Sequence, residues 1–468
     1  MKDERIKRYS RTFSIRRVAF CIVLSFICSF SIISSAQAVP LIRDAEIEHT
    51  LRLYANPVFK AAGLRPQSVN IFIVNRDDLN AFVAGGSNMF IHAGLILASD
   101  DPAMLIGVMA HETGHIAGGH LAQGAEKLKN AQIGTVLSYV LGAAAAVATN
   151  KPEVGAAVIT GGSTSAARTL LAYSRANEES ADQAALKYLD SLQISASGLH
   201  DMFIKLQRNE RLHSSHPDPY MLTHPLSNSR IEHVRSHMED SNIAKGAYPT
   251  ALELAHQRMV AKLFSFMKTP ERTFQRYRKT DTSVAARLAH AVAYYKMPDL
   301  PHSLEKIDSL LQDYPDDAFF HELKGQILFE NGRIDDALAS YRKGNALRPD
   351  SALILTDLAR VELATGDGAL VNSALQHLQK ANSFEKTNPS TWRLLATAYG
   401  KQNNMGMSAL ALAEEAMLGD DIDTAEQQVN RAQNILKEHS PGWLRAQDIK
   451  FRISQLRQEK EGFELSPL

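Results

Sequence analysis

The sequence has almost no cysteine and no excess of either charge. Only two of its 468 residues are cysteine, and both, Cys21 and Cys28, lie within the first 38 positions. If that leader is removed, the remaining chain has no disulfide, so core packing must stabilise it. The same absence excludes a catalytic thiol and a zinc finger built from thiolates.

The first 38 residues have the features of a secretory signal peptide. A basic start is followed by an uncharged apolar run from Val18 to Ile33, and Ala36-Gln37-Ala38 is typical of a cleavage site. An uncleaved anchor is the alternative, but the run is short for a span of about 20 residues. Removing seven of 51 basic and two of 51 acidic residues leaves a net charge of −5. That balance argues against nucleic acid as a partner.

His111, Glu112 and His115 form the pattern His-Glu-x-x-His within a run that predicts a helix. Asp101 followed by Pro102 is typical of a helix start, and apolar residues follow. The two histidines would lie on one helical face, where both can bind a single metal ion. Bound zinc lowers the pKa of water to about 7, and Glu112 can take its proton as it attacks a peptide carbonyl. The alternative is two ordinary histidines on an amphipathic helix.

Glu178 is the predicted third metal ligand, because two histidines leave a tetrahedral zinc one protein ligand short. Asp182 lies four residues later on the same predicted helix. It would accept the N–H of a ligating histidine and so fix the tautomer of that ring. Two alternatives stay open: both acids are solvated, or Glu179 is the ligand.

The chain around the metal motif predicts a small antiparallel sheet and a helical hairpin. Residues 41 to 63 have a helical pattern, and strand-like runs follow at residues 69–74, 79–84 and 88–92. An edge strand of this sheet could bind an extended substrate by strand addition. The uncharged stretches between residues 131 and 167 predict a hairpin over the active site. Contact with a membrane surface and a true span are the alternatives.

Taken together, these motifs resemble the zinc-peptidase family that includes the CAAX-prenyl protease, HtpX and the mitochondrial protease Oma. The resemblance continues after the acidic helix at Thr223-His224-Pro225 and Arg230-Ile231, and His120 matches a position common in secreted members. It implies one zinc ion per chain, with His111, His115 and Glu178 as ligands and Glu112 as a catalytic residue.

Three further side chains have open roles. His224 precedes a proline, which favours a loop at that position. It could stabilise the oxyanion of the reaction intermediate. Alternatively, it could bind zinc in the fourth position and so hold the enzyme latent, or it could lie on the surface. Arg230 could support the oxyanion or pair with a neighbouring carboxylate. His120 lies nine residues after His111, so it faces away from the metal unless Gly118-Gly119 ends the helix. We predict that it is not a ligand.

The second half of the chain predicts a solenoid of tetratricopeptide repeats. From Pro315 to Pro349 is 34 residues, the period of that motif. Its small and aromatic positions are Gly325, Gly332, Ala337 and Tyr341, and the pattern recurs at Trp392, Leu395, Ala396 and Tyr399 and at Ala425 and Ala432. From Pro349 to Pro389 is 40 residues, which predicts an insertion near Gly366–Gly368. A generic helical bundle is the alternative.

We therefore expect a mainly α (α+β) protein with a peptidase domain at residues 39–250, connecting helices at 251–283 and repeats at 284–468. The resemblance implies a periplasmic zinc endopeptidase that aids outer-membrane β-barrel assembly and degrades barrels that stall. Implied partners are stalled outer-membrane proteins, the β-barrel assembly machinery and lipopolysaccharide-export components. The alternatives are a mostly latent chaperone acting through the repeats and a membrane-associated protease of the HtpX type.

Overall fold

The computed structural model describes residues 41–120, 164–212 and 224–464. The predicted signal peptide lies outside these residues, as does the predicted hairpin up to residue 163. The fold is mainly helical with one small sheet, as the sequence predicts. Within the described ranges, no helix has both the length and the apolar character needed to cross a bilayer.

The sheet has four strands in the order β1-β2-β4-β3, and it is mixed rather than antiparallel. The strands are β1 (Leu41–Ile42), β2 (Asn70–Val74), β3 (Ala81–Ala84) and β4 (Asn88–His92). Strands β3 and β4 form the expected antiparallel hairpin, whereas β2 runs parallel to β4.

The parallel pairing arises because the connection from β2 to β3 crosses the end of β4. His92 N donates to Asn80 O at 2.9 Å and Gly94 N donates to Arg76 O at 2.8 Å. This leaves β4 in the middle of the sheet and β3 at its edge, where β3 contacts the helix that carries the metal motif.

The helices of the first half pack on this sheet and on one another. The predicted helix over residues 41–63 begins only at Ala45, because Asp44 caps it by accepting from Glu46 N and Ile47 N. The helices are α1 (Ala45–Ala61), α2 (Ala93–Ala98), α3 (Pro102–Ala117), α4 (Thr164–Ser191), α5 (Ser197–Leu212) and α6 (Asn228–Asp240). Their shared core surrounds α3, whose residues from Pro102 to His115 are all buried.

Twelve further described helices follow, and from α9 onward each packs against the next. They are α7 (Ala251–Met267), α8 (Pro270–Arg276), α9 (Val284–Lys296), α10 (Leu300–Asp313), α11 (Ala318–Glu330), α12 (Ile334–Leu347), α13 (Ala352–Ala364), α14 (Gly368–Phe384), α15 (Pro389–Lys401), α16 (Met405–Leu418), α17 (Ile422–Ile435) and α18 (Pro441–Glu464). Tyr341 of α12 is fully buried beside Gly325 of α11, where a Cβ atom would lie 2.6 Å from its ring. The small residue therefore makes room for the aromatic one, as the repeat pattern predicts.

The extra residues lengthen helix α14, which begins at Gly368, so they lie next to the predicted position at Gly366–Gly368. The turn of residues 365–367 has three residues, like the turn of residues 331–333 between α11 and α12. Helix α14 instead has 17 residues, whereas α12 has 14. A longer helix adds residues without disturbing the turn.

A buried ionic network joins three helices that lie far apart in the sequence. Lys262 of α7 is fully buried, with its Nζ 2.9 Å from Asp44 and 3.3 Å from Glu322 of α11. Arg258 of α7 bonds Glu46 of α1 and Asp317 of the repeats, both at 2.6 Å. We call these six residues the α1–α7–α11 network.

Candidate metal centre

Helix α3 presents His111 and His115 to the interior of the first half. The side chain of Asp101 accepts from Met104 N at 3.0 Å, and Pro102 occupies the first turn, so the helix starts where the sequence predicts. The two Nε2 atoms of the histidines are 3.1 Å apart. His111 is fully buried and His115 nearly so.

Helix α4 presents Glu178 and Asp182 to the same point. Both carboxylates are buried, whereas Glu179 is exposed and faces away. The close approach of the helices depends on Gly114, where a Cβ atom would lie 2.9 Å from the backbone of Ala181. Gly114 stands inside the His-Glu-x-x-His motif, and its lack of a side chain was the one sequence signal for this contact.

Four side chains converge so closely that they could hold one metal ion. One ligand atom from each of His111, His115, Glu178 and His224 lies within 4.8 Å of the others. Glu178 is 3.3 Å from His111 Nε2 and 3.2 Å from His115 Nε2. The structure thus brings together the three predicted ligands and adds His224 to them.

His224 lies between the metal ligands and Glu112. Its Nδ1 is 3.2 Å from Glu178 Oε1, and its Nε2 is 3.4 Å from Glu112 Oε1. The residue is buried, so the alternative of a surface histidine is wrong. Two roles stay open for it from this position: metal ligand and partner of the developing oxyanion.

Asp182 and Arg230 support the ligands from behind. Asp182 Oδ1 is 2.8 Å from His111 Nδ1, the ring nitrogen that faces away from Glu178. Arg230 bonds both oxygens of Asp182, at 2.6 and 2.8 Å, and its Nη1 is 2.9 Å from Glu178 Oε2. Of the two sequence alternatives for Arg230, the structure shows the ion pair with neighbouring carboxylates.

The charges of the site favour a cation at this point. Burial lowers the pKa of His111, but hydrogen bonds to Asp182 and Glu178 outweigh it and raise that pKa to about 10. Burial would raise the pKa of Glu178 and of Asp182, yet the neighbouring basic groups hold both below their ordinary values. The two carboxylates therefore stay ionised and stabilise positive charge between α3 and α4.

Glu112 fits the presence of a metal and a water beside it. Both of its carboxylate oxygens are buried, and neither accepts a hydrogen bond from the residues that the structure describes. A buried carboxylate without such bonds is costly unless a ligand or water completes it. Histidine and carboxylate donors are also those that zinc prefers. The residues present therefore fit the metal that the motif implies.

Two residues near the centre were not predicted to contact it. Phe203 of α5 lies edge-on to His111, with ring centroids 6.5 Å apart, and the guanidinium of Arg230 lies 5.1 Å from its centroid. His120 follows the end of α3 and contacts the outer side of His115, with 3.0 Å between their Nδ1 atoms. A lone phenylalanine in an amphipathic helix gives no sequence signal for such a role.

Comparisons with known proteins give a family match for the first half of the chain. The model of peptidase family M48 matches residues 42–238. The chain is similar to the beta-barrel assembly-enhancing protease of Escherichia coli strain K12, with 25% identity over 441 residues covering 91% of this chain and 86% of that protein. The protein of the same name from Yersinia pestis is 24% identical over 433 residues, covering 91% of this chain and 86% of that protein. Among solved structures, Pseudomonas aeruginosa pilF covers 42% of this chain and 97% of its own, with 18% identity and a TM-score of 0.30.

Proposed function

Because the chain carries a peptidase family M48 domain and is therefore a metallopeptidase, we propose that it is a zinc-dependent endopeptidase of the periplasm. One observation carries the proposal. Four potential ligand atoms lie within 4.8 Å of one another, beside the buried carboxylate of Glu112, which accepts no hydrogen bond from the residues that the structure describes. His111, His115 and Glu178 would hold the metal, and Asp182 would orient His111.

In this proposal, the side chain of Glu112 moves the protons. When bound, zinc lowers the pKa of a coordinated water to about 7 and polarises a carbonyl oxygen. Glu112 accepts a proton from the attacking water and later donates it to the leaving amine. Asp182 holds His111 by its Nδ1–H, and Arg230 keeps Asp182 ionised and in place. Arg230 therefore supports the site through Asp182 and Glu178.

His224 restrains the enzyme in this proposal. It stands 3.2 Å from Glu178 and 3.4 Å from Glu112, in the space that an attacking water and a scissile carbonyl would need. A fourth protein ligand is typical of closed structural zinc sites, whereas catalytic sites keep that position open. Cleavage then requires His224 to leave this position, and the restrained state is latent.

The test compares casein digestion by the wild type, Glu112→Gln and His224→Ala at equal bound zinc. We expect slow digestion by the wild type, none by Glu112→Gln, and faster digestion by His224→Ala. His233→Ala is the matched control, because His233 is exposed on α6. If Glu112→Gln digests casein as well as the wild type, the catalytic proposal fails. If His224→Ala is slower than the wild type, His224 stabilises the oxyanion instead of restraining the site.

The substrate in this proposal is an extended polypeptide. Strand β3 is at the sheet edge and contacts α3, the helix that carries two of the proposed metal ligands. An extended segment can add to such an edge by main-chain hydrogen bonds, which a folded protein cannot supply. Casein should therefore be cleaved, while a folded protein of similar size should resist.

The relatives suggest the setting in which such cleavage occurs. They are named for enhancement of β-barrel assembly, and we propose the same role here, with degradation of barrels that stall. Partners would be unfolded outer-membrane proteins, the β-barrel assembly machinery and lipopolysaccharide-export components. The repeats would select these partners, because stacked helix pairs form extended binding surfaces. The domain boundaries proposed are residues 39–250, 251–283 and 284–468.

Two alternatives have distinct outcomes. A mostly latent chaperone that acts through its repeats would prevent aggregation of an unfolded barrel protein equally well with Glu112→Gln. A membrane-associated protease of the HtpX type would stay with the membrane when cells are opened by osmotic shock without detergent. The periplasmic protease is favoured if osmotic shock releases the protein and if only the active enzyme, not Glu112→Gln, prevents aggregation of the unfolded barrel protein.

A further inference from the structure

His120 contacts the one ring nitrogen of His115 that faces away from the metal ligands. The two Nδ1 atoms are 3.0 Å apart, and the rings meet edge-on with centroids separated by 5.0 Å. Nε2 of His115 points the other way and lies 3.2 Å from Glu178 Oε1. His115 therefore has the metal cluster on one side and His120 on the other.

This contact has only one proton arrangement that leaves His115 able to bind a metal. A ligating Nε2 carries no proton, so the proton of the neutral ring must be on Nδ1. That N–H then donates to His120 Nδ1, and His120 carries its own proton on Nε2. The reverse arrangement would put the proton of His115 on Nε2 and block ligation.

Two glycines allow His120 to reach back over the end of α3. Gly118 ends the helix, and Gly119 has φ of +62°, a left-handed conformation that favours glycine. The ring of His120 then lies against Gly118, where a Cβ atom would be 2.5 Å from Nε2 and 2.9 Å from Cδ2 of that ring. Gly118 itself has φ of −74° and ψ of −10°, which alanine adopts without strain.

We propose that His120 is a positioning residue: it accepts the Nδ1–H of His115 and holds that ring in the tautomer and orientation that present Nε2 to the metal. Asp182 does the same for His111 from the other side, so each histidine of the motif has its own acceptor. The inference rests on the proposed metal site, and it assigns to His120 a role that is neither ligand nor catalyst.

The test measures zinc affinity directly, by competition with a chromophoric chelator, in the full-length mature protein. Loss of an acceptor behind a ligating histidine weakens metal binding about 10- to 100-fold, and we expect this range for His120→Ala. His120→Gln offers an amide oxygen as acceptor and should recover most of the affinity. His233→Ala removes an exposed histidine from α6 and should bind zinc like the wild type.

A second variant moves His120 without changing it. Gly118→Ala places a methyl group where the ring of His120 now lies, and the ring rather than the backbone must give way. We expect Gly118→Ala to weaken zinc binding as His120→Ala does. The double variant should be no weaker than His120→Ala alone, because both changes break one interaction.

The outcomes separate this inference from the proposed function. If the wild type binds one zinc ion tightly and His120→Ala binds it equally well, the positioning role is refuted. Additive losses in the double variant would also refute it, because Gly118 would then act independently of His120. If the wild type binds no zinc, the proposed function fails first. Melting temperatures of all variants, followed by circular dichroism with chelator present, show whether any loss of affinity merely reflects unfolding.

Discussion

Replacing Arg230 with methionine should destabilise the protein strongly, although Arg230 is neither a ligand nor a catalytic residue in our proposal. Its guanidinium makes bonds of 2.6 and 2.8 Å to Asp182 and lies 2.9 Å from Glu178. Methionine keeps an unbranched apolar stem over Phe203 but removes the charge. Two buried carboxylates then lose their main cationic partner, and breaking a buried pair in this way costs about 3–5 kcal/mol.

The loss should depend on pH and on metal in a defined direction. Burial would raise the pKa of Asp182, but Arg230 and His111 hold it below its ordinary value. A lowered pKa gives stability that is present above the unfolded value of about 3.9 and is lost as pH falls through the folded value. The difference between wild type and Arg230→Met should therefore be largest at neutral pH and shrink on acidification. Added zinc should also reduce it, because the cation compensates Glu178.

Urea unfolding followed by circular dichroism, at pH 7 and at pH 3 or below and with zinc or chelator, measures these differences. The stability of Arg230→Lys should lie between that of the wild type and that of Arg230→Met, because an ammonium keeps the charge but cannot replace the paired bonds of the guanidinium. Arg235→Met is the matched control, since Arg235 lies on the same helix and its partners Glu232 and Glu239 are exposed. A free-energy loss for Arg230→Met below about 1 kcal/mol at pH 7, which is the range of surface pairs, would refute the reasoning.

Three further predictions concern other parts of the molecule. Glu112→Gln should bind zinc like the wild type but lose at least about 100-fold in casein cleavage, since general base catalysis contributes that much; equal cleavage rates would contradict it. Burial raises the pKa of Glu322 from 4.5 to about 7, so its stabilising contribution is complete below 4.5 and is lost as pH rises towards 7. Glu322→Gln should flatten the stability profile between pH 4.5 and 7, and an unchanged profile would refute this origin. Gly325→Ala should push Tyr341 aside and reduce the free energy of unfolding by about 1–3 kcal/mol. Tryptophan fluorescence should show a lower unfolding midpoint, because both tryptophans lie in the repeats. The zinc affinity should be unchanged.

The parts of the centre that could be predicted from sequence are those set by local chemistry. The start of α3 could be predicted because Asp101 and Pro102, which set it, belong to the same turn of the chain. Helical spacing alone puts His111 and His115 on one face. The choice between Glu178 and Glu179 is decided by which face of α4 packs on α3, so the sequence left both open and the resemblance favoured Glu178.

The parts that could not be predicted depend on contacts between distant segments. The parallel pairing of β2 with β4 is set by how residues 75–80 cross the end of β4, which no strand pattern contains. The bonds of Arg230 to Asp182 span 48 positions. The 40-residue spacing predicts extra residues near Gly366–Gly368, but it does not show that they lengthen α14 and leave the turn before it unchanged.

The α1–α7–α11 network makes the two halves of the chain poorly separable. Asp44 and Glu46 belong to the proposed peptidase domain, Arg258 and Lys262 to the connecting helices, and Asp317 and Glu322 to the proposed repeats. A protein truncated after α8 would keep Arg258 and Lys262 but lose two of their four carboxylate partners, and it would expose apolar surface of α7 as well. The peptidase would then be hard to obtain as an independent fragment. Recombining it with foreign repeats would require acidic residues at the positions that Asp317 and Glu322 hold in this junction.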